Sequence, residues 1–567
     1  MNRLAIILCI AVLSAGIGWG AYRAESTAEI SLSRYVPAGP LLYVEAQDFA
    51  SLLSDWNSSP EKRQWIQSSN YEVFSRSRLF LRLKGAGDQF AVTAGLPPDM
   101  DFLSQVAGDR SALAVYDIGN LQFLYLTHLP SAKSMQTTLW RSRAKFEPRN
   151  VGGADFYHRR DPESKREVAF AVSGDYLLLA TREDLLAGAL QLISGSQDRT
   201  VEAEPWWSQS TASAAKPGDL RMVLNLEKLV PNGYFRTYWV QQNITDLSQY
   251  SAVVTDLFRS GREYREQRVL IRKKELERVA ATEGAAAAGD VVRLVPADVG
   301  LYAATANPSS EQCFALLETK LLAPHLGAAP PSQMAPQVQL TSGEQGGASD
   351  LETRIDQPPV AHSAQESTPA LKQLLDKAQV QAALEVQSTA REKAGVFVRM
   401  HTAVVLVSAS DWNEKEVQSA LTNFLEPALT ASQLGLGWRQ NSGYSELAGL
   451  WPLFVSAHGK YLLVNGDAAL MESMLANFAR SSNHKPADFL AGFNHQHERA
   501  NFARFTNLID RPGGAGSQIG NMEREPQFFS ENMASLSRTL AAVAAERVEV
   551  HNEAGLVRET VTYEWSE

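Results

Sequence analysis

The chain has 567 residues, 44% of them hydrophobic and 20% charged. Those values suit a folded globular protein that is too long for one core. Its net charge of −10, from 63 acidic against 53 basic side chains, exerts no long-range pull on a polyphosphate and argues against a nucleic-acid partner. Only Cys9 and Cys313 are present. One lies in an apolar segment and the other on an expected helix, so no intrachain disulfide is expected and burial has to hold the body together.

Residues 1–24 depart from the average. Arg3 is followed by LAIILCIAVLSAGIGWGAY, an uncharged run of 19 residues from Leu4 to Tyr22, and then by Arg23. At about 1.5 Å per residue such a helix just crosses a hydrocarbon core of about 30 Å. The run reads as an uncleaved signal anchor, with a cleaved signal peptide as the alternative. The large polar remainder favours export of the body. Leu8 is too bulky for Cys9 to be a lipoprotein cysteine.

The body repeats itself. Phe170–Ile193 reads FAVSGDYLLLATREDLLAGALQLI, and 285 positions later Val455–Phe478 reads VSAHGKYLLVNGDAALMESMLANF. Gly174 meets Gly459, Tyr176 meets Tyr461, and Leu185, Leu186, Ala189, Leu190 and Ile193 fall on Leu470, Met471, Met474, Leu475 and Phe478. The pattern predicts a strand, a Gly-centred hairpin turn, an apolar strand and an amphipathic helix. An earlier anchor, Val36-Pro37-Ala38 with Leu42-Tyr43, returns as Val295-Pro296-Ala297 with Leu301-Tyr302, a shift of 259. The 26 extra residues are expected in Ala323–Pro369, whose Pro, Gln, Ala, Ser and Gly give it little to bury and predict a disordered loop.

Between these anchors the expected elements agree in order. Strands at Ala112–Tyr116 and Leu121–Thr127 are answered by Val396–Met400 and Ala403–Ser408. Helices at Ser131–Arg143 and Asn413–Leu425 follow, then hairpins at 144–160 and 437–450. Strands at Leu220–Leu226 and Asn501–Phe505 come next. Each copy closes on a helix and strands, Tyr238–Phe258 with Tyr264–Arg272, and Asn532–Glu546 with Val548–Tyr563. The expected organisation is a first α+β repeat over 33–279, a linker or frayed helix over 280–292, and a second repeat over 293–567. The fold class is α+β: two tandem homologous copies of a mostly antiparallel sheet with packed helices, one sheet face covered and the other partly wet.

Several of these stretches resemble a family of uncharacterised bacterial envelope proteins that share a domain of unknown function. The resemblance rests on Val36-Pro37-Ala38, Leu42-Tyr43-Val44, Asp101–Asp109, Gly153–Tyr157 and Gly174–Thr181. It covers 33–230 well and 293–510 more weakly, and residues 323–390 depart from it. It implies an envelope location, single-pass in the bacterial inner membrane with the body in the periplasm, or free in the periplasm if the leader is cleaved, and brings no catalytic residues.

Local chemistry is sparse. His495 and His497, with His484 and Glu498 nearby, form a weak metal candidate, since histidines at i and i+2 on a strand point to one side. Against it, the stretch is polar and such histidines are usually solvated. Asp99 and Asp101 follow Pro97-Pro98, where an Asp caps a helix more often than it catalyses. Ser59-Pro60-Glu61-Lys62 has a Ser-x-x-Lys spacing, yet its Pro favours a helix start. Gly513-Gly514-Ala515-Gly516 lacks the strand and Lys of a phosphate loop. Arg259–Arg278 holds eight basic residues and reads as an edge strand blunted by charge, with anionic headgroups as a second use. Trp206-Trp207 reads as a helix start packing inward over an exposed aromatic contact. No catalytic residue and no cofactor are expected.

The resulting expectation is a non-enzymatic, membrane-anchored envelope protein whose exported body is an interaction or ligand-binding module. The alternatives are a carrier of an apolar envelope ligand in a cavity between the repeats, and a hydrolase with a site assembled from distant residues. A large apolar pocket favours the carrier, and convergent His, Asp or Ser would favour the enzyme.

Overall fold

A computed structural model describes residues 31–68, 71–72, 75–76, 78–196, 198–233, 247–274, 282–322, 369–389, 400–430, 437–448, 452–481, 484–497 and 543–565. Expectations for 1–24, 323–368, 501–505, 513–517 and 532–542 lie outside the described residues. None of the described helices is long and apolar enough to cross a membrane. The described residues fold as α+β in two compact units, one up to Arg259 with most of the strand after it, the other from Thr282 onward, with Ser260–Arg265 counted in the second.

In the first unit the strands are β1 (Leu42–Ala46), β2 (Arg110–Asp117), β3 (Gln122–His128), β4 (Glu147–Val151), β5 (Ala154–Arg160), β6 (Glu167–Ser173), β7 (Tyr176–Ala180), β8 (Leu220–Asn225) and β9 (Tyr250–Ser260). Consecutive pairings are all antiparallel and run β4-β5-β6-β7-β3-β2-β1-β8-β9. The chain then turns at Gly261 into β10 (Glu263–Arg272). Helices α1 (Phe49–Ser58), α2 (Pro60–Ile66), α3 (Arg78–Ala94) and α4 (Met100–Val106) connect β1 to β2. After β7 come α5 (Glu183–Ile193) and α6 (Pro205–Ser213).

The sheet has a core on each face. Along β7, Leu178 and Ala180 point into one core with Tyr43, Leu126, Leu186, Leu190 and the pair Trp206-Trp207. Leu177 and Leu179 point into the other with Phe102, Leu139 and Phe170. This is the two-residue alternation of a strand. Leu177 and Leu178 are both 0% exposed, so β6 and β7 are buried on both sides, as their near-continuous apolar runs require, while β1 and β8 mix buried and half-buried positions. Two buried charges are tied into this frame. Glu45 accepts from Arg110 Nε (2.7 Å), Tyr43 OH (2.7 Å) and Ser31 Oγ (2.8 Å). Asp256 takes Arg221 Nε and Nη2 at 2.7 Å each.

The second unit has β11 (Leu301–Ala306), β12 (Val380–Thr389), β13 (Met400–Ser408), β14 (Trp438–Gln440), β15 (Ser445–Leu447), β16 (Leu453–His458), β17 (Tyr461–Asn465), β18 (Phe489–Asn494), β19 (Val543–Asn552) and β20 (Leu556–Trp565). Its order is β14-β15-β16-β17-β13-β12-β11-β18-β19-β20, again antiparallel throughout. The β6–β7 register pairs Ser173 with Tyr176 and Ala169 with Ala180, and the β16–β17 register pairs His458 with Tyr461 and Phe454 with Asn465. Both turns open on a glycine with positive φ, 55° at Gly174 and 57° at Gly459, as a tight hairpin needs. Its helices are α7 (Thr282–Val291), α8 (Ser310–Leu317), α9 (Pro369–Ala378), α10 (Glu414–Thr430) and α11 (Ala468–Ala476).

Several expectations need correction. Tyr250–Ser260 is a strand, not the end of a helix, and pairs with β8; Val543–Glu546 likewise belongs to β19. The partner of β13 is β12, Val380–Thr389, in place of Val396–Met400, of which only Met400 is described. The offset between corresponding positions is therefore 259 at β1 (Tyr43 to Tyr302), 272 at β2 (Ala114 to Val386), 279 at β3 (Leu126 to Val405) and 285 at β7 (Leu178 to Leu463). The extra residues enter in three places, not one, and Pro369 already starts a helix. Residues 282–291, in the stretch read as a linker or frayed helix, form α7 with Ala288 and Val291 at 0% exposure in the second unit's core, where small alanine side chains pack readily. Ser131–Arg143 breaks into two single helical turns, Ser131–Ser134 and Thr138–Arg141.

Candidate functional site

The first unit is hollow on the Leu179 face. A cavity of about 890 Å³ lies between the sheet and the helices that connect β1 to β2, within the range of about 300–1,000 Å³ typical of small-molecule sites. Its floor is Val44, Leu113, Phe123, Tyr125, Val168 and Leu179, and its roof is Phe49, Ala86, Gly87, Phe90, Phe102 and Leu103. The helices sit there for local reasons. Asp48 caps α1 by accepting from Ser51 N, and Ser59 caps α2 by accepting from Lys62 N with Pro60 at the first turn. Asp99 caps α4 by accepting from Phe102 N at 2.8 Å. Ser-x-x-Lys and the Asp99/Asp101 pair are thus helix starts.

The hollow itself comes from α3, which presents Ala86 and Gly87 where a core helix would present Leu or Phe. A Cβ built on Gly87 would meet only Pro98 Cγ, at 3.6 Å. Sequence reasoning passed over α3; its Gly85-Ala86-Gly87 run inside a helical pattern was the available signal. One phenol reaches the wall. Tyr125 OH donates to the Val106 carbonyl at 2.7 Å and lies 3.1 Å from Ser111 Oγ, and burial pushes its pKa up to about 12. It is a held donor and has no use as a base near neutral pH.

The mouth is polar. It takes Asn120, Leu121 and Gln122 from the β2–β3 turn, Ser164–Glu167 from the β5–β6 turn, and Thr181, Arg182 and Asp184 from the start of α5. Arg166 Nη1 donates to the Asn120 carbonyl at 2.7 Å and joins the two turns. Asp161 fixes the second turn, accepting from Ser164 N at 2.7 Å and Ser164 Oγ at 2.5 Å; those bonds hold its carboxyl below the usual range. Leu121 and Lys165 both have left-handed backbone, φ 50° and 59°. Non-glycine residues held in that region concentrate at ligand clamps. Arg182 is engaged by Asp184 and by Gln122 Oε1.

On the other face of the sheet, His158 on β5 is 4% exposed and its ring nitrogens have no hydrogen-bond partner. Its Nε2 lies 3.8 Å from Glu167 and 3.9 Å from Glu183, too far for direct bonds. Glu183 is held by Arg149 Nη1 at 2.7 and 2.8 Å.

The weak metal candidate does not assemble. His495 and His497 lie on a helical turn capped by Asn494, which accepts from His497 N at 3.0 Å, so positions i and i+2 diverge. His495 faces Glu546 at 3.6 Å and Phe493 edge-on. Among the described residues no group of three His, Cys, Asp or Glu could hold an ion. Trp206 and Trp207 are buried, and Trp207 packs edge-on against Tyr43. Cys313 is buried on α8 with its thiol pushed up to about 12 by burial.

The corresponding face of the second unit is filled. Leu453, Val455, Leu462 and Val464 stand where Val168, Phe170, Leu177 and Leu179 stand, packed under Leu317, Leu375, Val417, Leu421, Phe424 and Leu425. The mouth also changes, with Arg182 answered by Asp467. A polar cleft of about 380 Å³, bordered by Glu283, Asn307, Asp376 and Gln379, opens elsewhere in that unit.

No family model matches the chain, and no curated protein matches it. Among solved structures, crystal form I of TP0453 aligns with a TM-score of 0.24 and 12% identity over 44% of this chain and 82% of that one. Crystal form IV of TP0453 gives 0.23 and 10% over 44% and 83%. Scores this low carry no argument about fold or function here.

Proposed function

We propose that this protein binds an apolar ligand in the cavity of its first unit. The observation that carries the reading is an 890 Å³ apolar hollow walled by that unit's own residues. The hollow opens to solvent at its mouth, and a large, mostly apolar hollow with a few polar groups at its rim is the usual form of a small-molecule site. Each methylene moved from water onto such walls gains about 0.8 kcal/mol. The cavity lies inside one unit, which changes the place but not the chemistry of the carrier alternative. The hydrolase alternative has no support from the wall, whose phenol is held and whose carboxylates are engaged at the mouth.

Two wider readings go with it. The units are tandem copies of one ancestral domain, supported by the identical strand order, the equal hairpin registers and the repeated Tyr-Leu-Leu module. The body is an envelope protein tethered by residues 4–22, supported by the apolar run and the motif resemblance. On that reading the protein fractionates with membranes and resists extraction by salt, and its recovery as a soluble periplasmic body would contradict the tether.

Native mass spectrometry of the full chain after incubation with a long-chain amphiphile tests the cavity. One ligand per chain is expected, lost in Gly87→Phe, which places a ring in the hollow without backbone strain. An adduct unaffected by Gly87→Phe would overturn the reading.

A further inference from the structure

We infer that the ligand is a single-chain amphiphile with an anionic head, its chain in the hollow and its carboxylate or phosphate on Lys165 and Arg166. This rests on the cavity reading above and adds the class of ligand.

The charges at the mouth sort themselves by pairing. Of the ionisable groups there, Arg182 is matched by Asp184 through Nε at 2.9 Å and through Nη2. Glu167 faces Arg160 Nε at 3.8 Å and accepts from Glu183 N at 3.4 Å. Lys165 and Arg166 remain, and neither forms an ion pair among the described residues. The apolar hollow therefore opens under two adjacent cations without a direct ion-pair partner; the Asp161 carboxylate of the same turn acts on Lys165 at longer range and is itself taken up by Ser164.

Their placement is built. Arg166 spends one N–H on the Asn120 carbonyl, which anchors the guanidinium at the junction of the two turns. Lys165 sits in a left-handed conformation, φ 59°, inside a turn closed by Asp161; Lys165 N donates to the Asp161 carbonyl at 3.0 Å, and Asp161 N to the Arg166 carbonyl at 2.8 Å. A forked donor beside a mobile ammonium is the arrangement that recognises a carboxylate or phosphate. An apolar ligand without a charged end would gain nothing from two cations at the rim, and a cationic one would be repelled. Among the described residues the second unit shows no counterpart: its corresponding face is filled, and the connection from β15 to β16, counted from Ser445 to its register partner Val455, is three residues shorter than that from β5 to β6, counted from Tyr157 to Phe170.

The test uses the full chain and three probes of matched chain length: a fluorescent fatty acid, a lysophosphatidic acid, and the methyl ester of the fatty acid. At low salt at least one anion is expected to bind about tenfold tighter than the ester, the value of one charge-assisted contact; which of them leads names the head. The double variant Lys165→Gln/Arg166→Gln is expected to bring the anions down to the ester's affinity and leave the ester unchanged. Equal affinity for acid, phosphate and ester in the wild type, with all three lost in Gly87→Phe, would overturn the anionic head and leave the cavity standing. Binding of every probe unaffected by Gly87→Phe would instead remove the cavity reading. A thermal melt of each variant confirms that it is folded.

Discussion

The two units set the same strands in the same order, yet cover part of one sheet face differently. In the first, Val168 and Leu179 look into an open hollow under α3 and α4. In the second, Leu453 and Val464 are sealed beneath α8, α9 and α10. The sheets are alike, so the difference lies in the covering helices, above all those in the connection between the first two strands of each unit and, in the second unit, also α10. One connection offers Ala86 and Gly87 to the sheet; the other offers Leu317, Leu321, Leu371 and Leu375. A sheet of this kind fixes where a ligand site can be, and the covering helices decide whether one exists.

The largest expected effects fall where the units agree. Leu178 and Leu463 are 0% and 1% exposed in the core of the repeated module. Leu178→Ala and Leu463→Ala should each cost about 2–5 kcal/mol, mostly in the unit that holds the leucine, as read by thermal or denaturant unfolding. Little change in either would mean the module is a surface and would undo the comparison at its root. Asp256→Ala should be comparably severe, about 3–5 kcal/mol, because it strands Arg221 as a buried unpaired charge.

The next effect separates the units. Gly87→Phe and Ala420→Phe each add a ring to corresponding faces, the first with one more methylene. The first should be tolerated within about 1 kcal/mol, since the ring enters empty space. The second should cost about 1–3 kcal/mol by overpacking, because Ala420 is 5% exposed among Leu421, Phe424 and Val417. Equal costs in the two variants would show that both faces are equally filled.

The smallest effect is on pH. Burial pushes the His495 pKa below its ordinary value against the opposing pull of Glu546. The unfolded chain then binds the proton more readily than the folded one. Stability from this group is complete above about pH 6.5 and falls as pH drops through the window below it. The second unit's melting should decline from pH 7.5 to 5.5, and His495→Leu should flatten that decline. A steeper decline in the variant would reverse the assignment.

Much of the frame was legible in the sequence. The Gly-Asp-Tyr-Leu-Leu and Gly-Lys-Tyr-Leu-Leu stretches encode turn, strand and alternation within a few residues, and so the hairpins, α5 and α11 were readable with their buried faces. Leu475 is the exception, half-buried where Leu190 is sealed. What failed were strands without local punctuation. Val380–Thr389 mixes Ala, Gln and Glu, good helix formers that sheet pairing overrides, and Tyr250–Ser260 follows a polar run with no clear period. The cavity was not legible, because a void depends on which distant side chains fail to meet. Lys165 and Arg166 were equally silent, two basic residues in a turn whose meaning comes from the hollow they border.

The most direct measurement counts sites. A fluorescent single-chain amphiphile titrated into the full protein, the Gly87→Phe variant and the Ala420→Phe variant reads both units at once. The account predicts one saturable site per chain, lost in Gly87→Phe and kept in Ala420→Phe. Two equivalent sites, or binding that survives Gly87→Phe and disappears in Ala420→Phe, would contradict it.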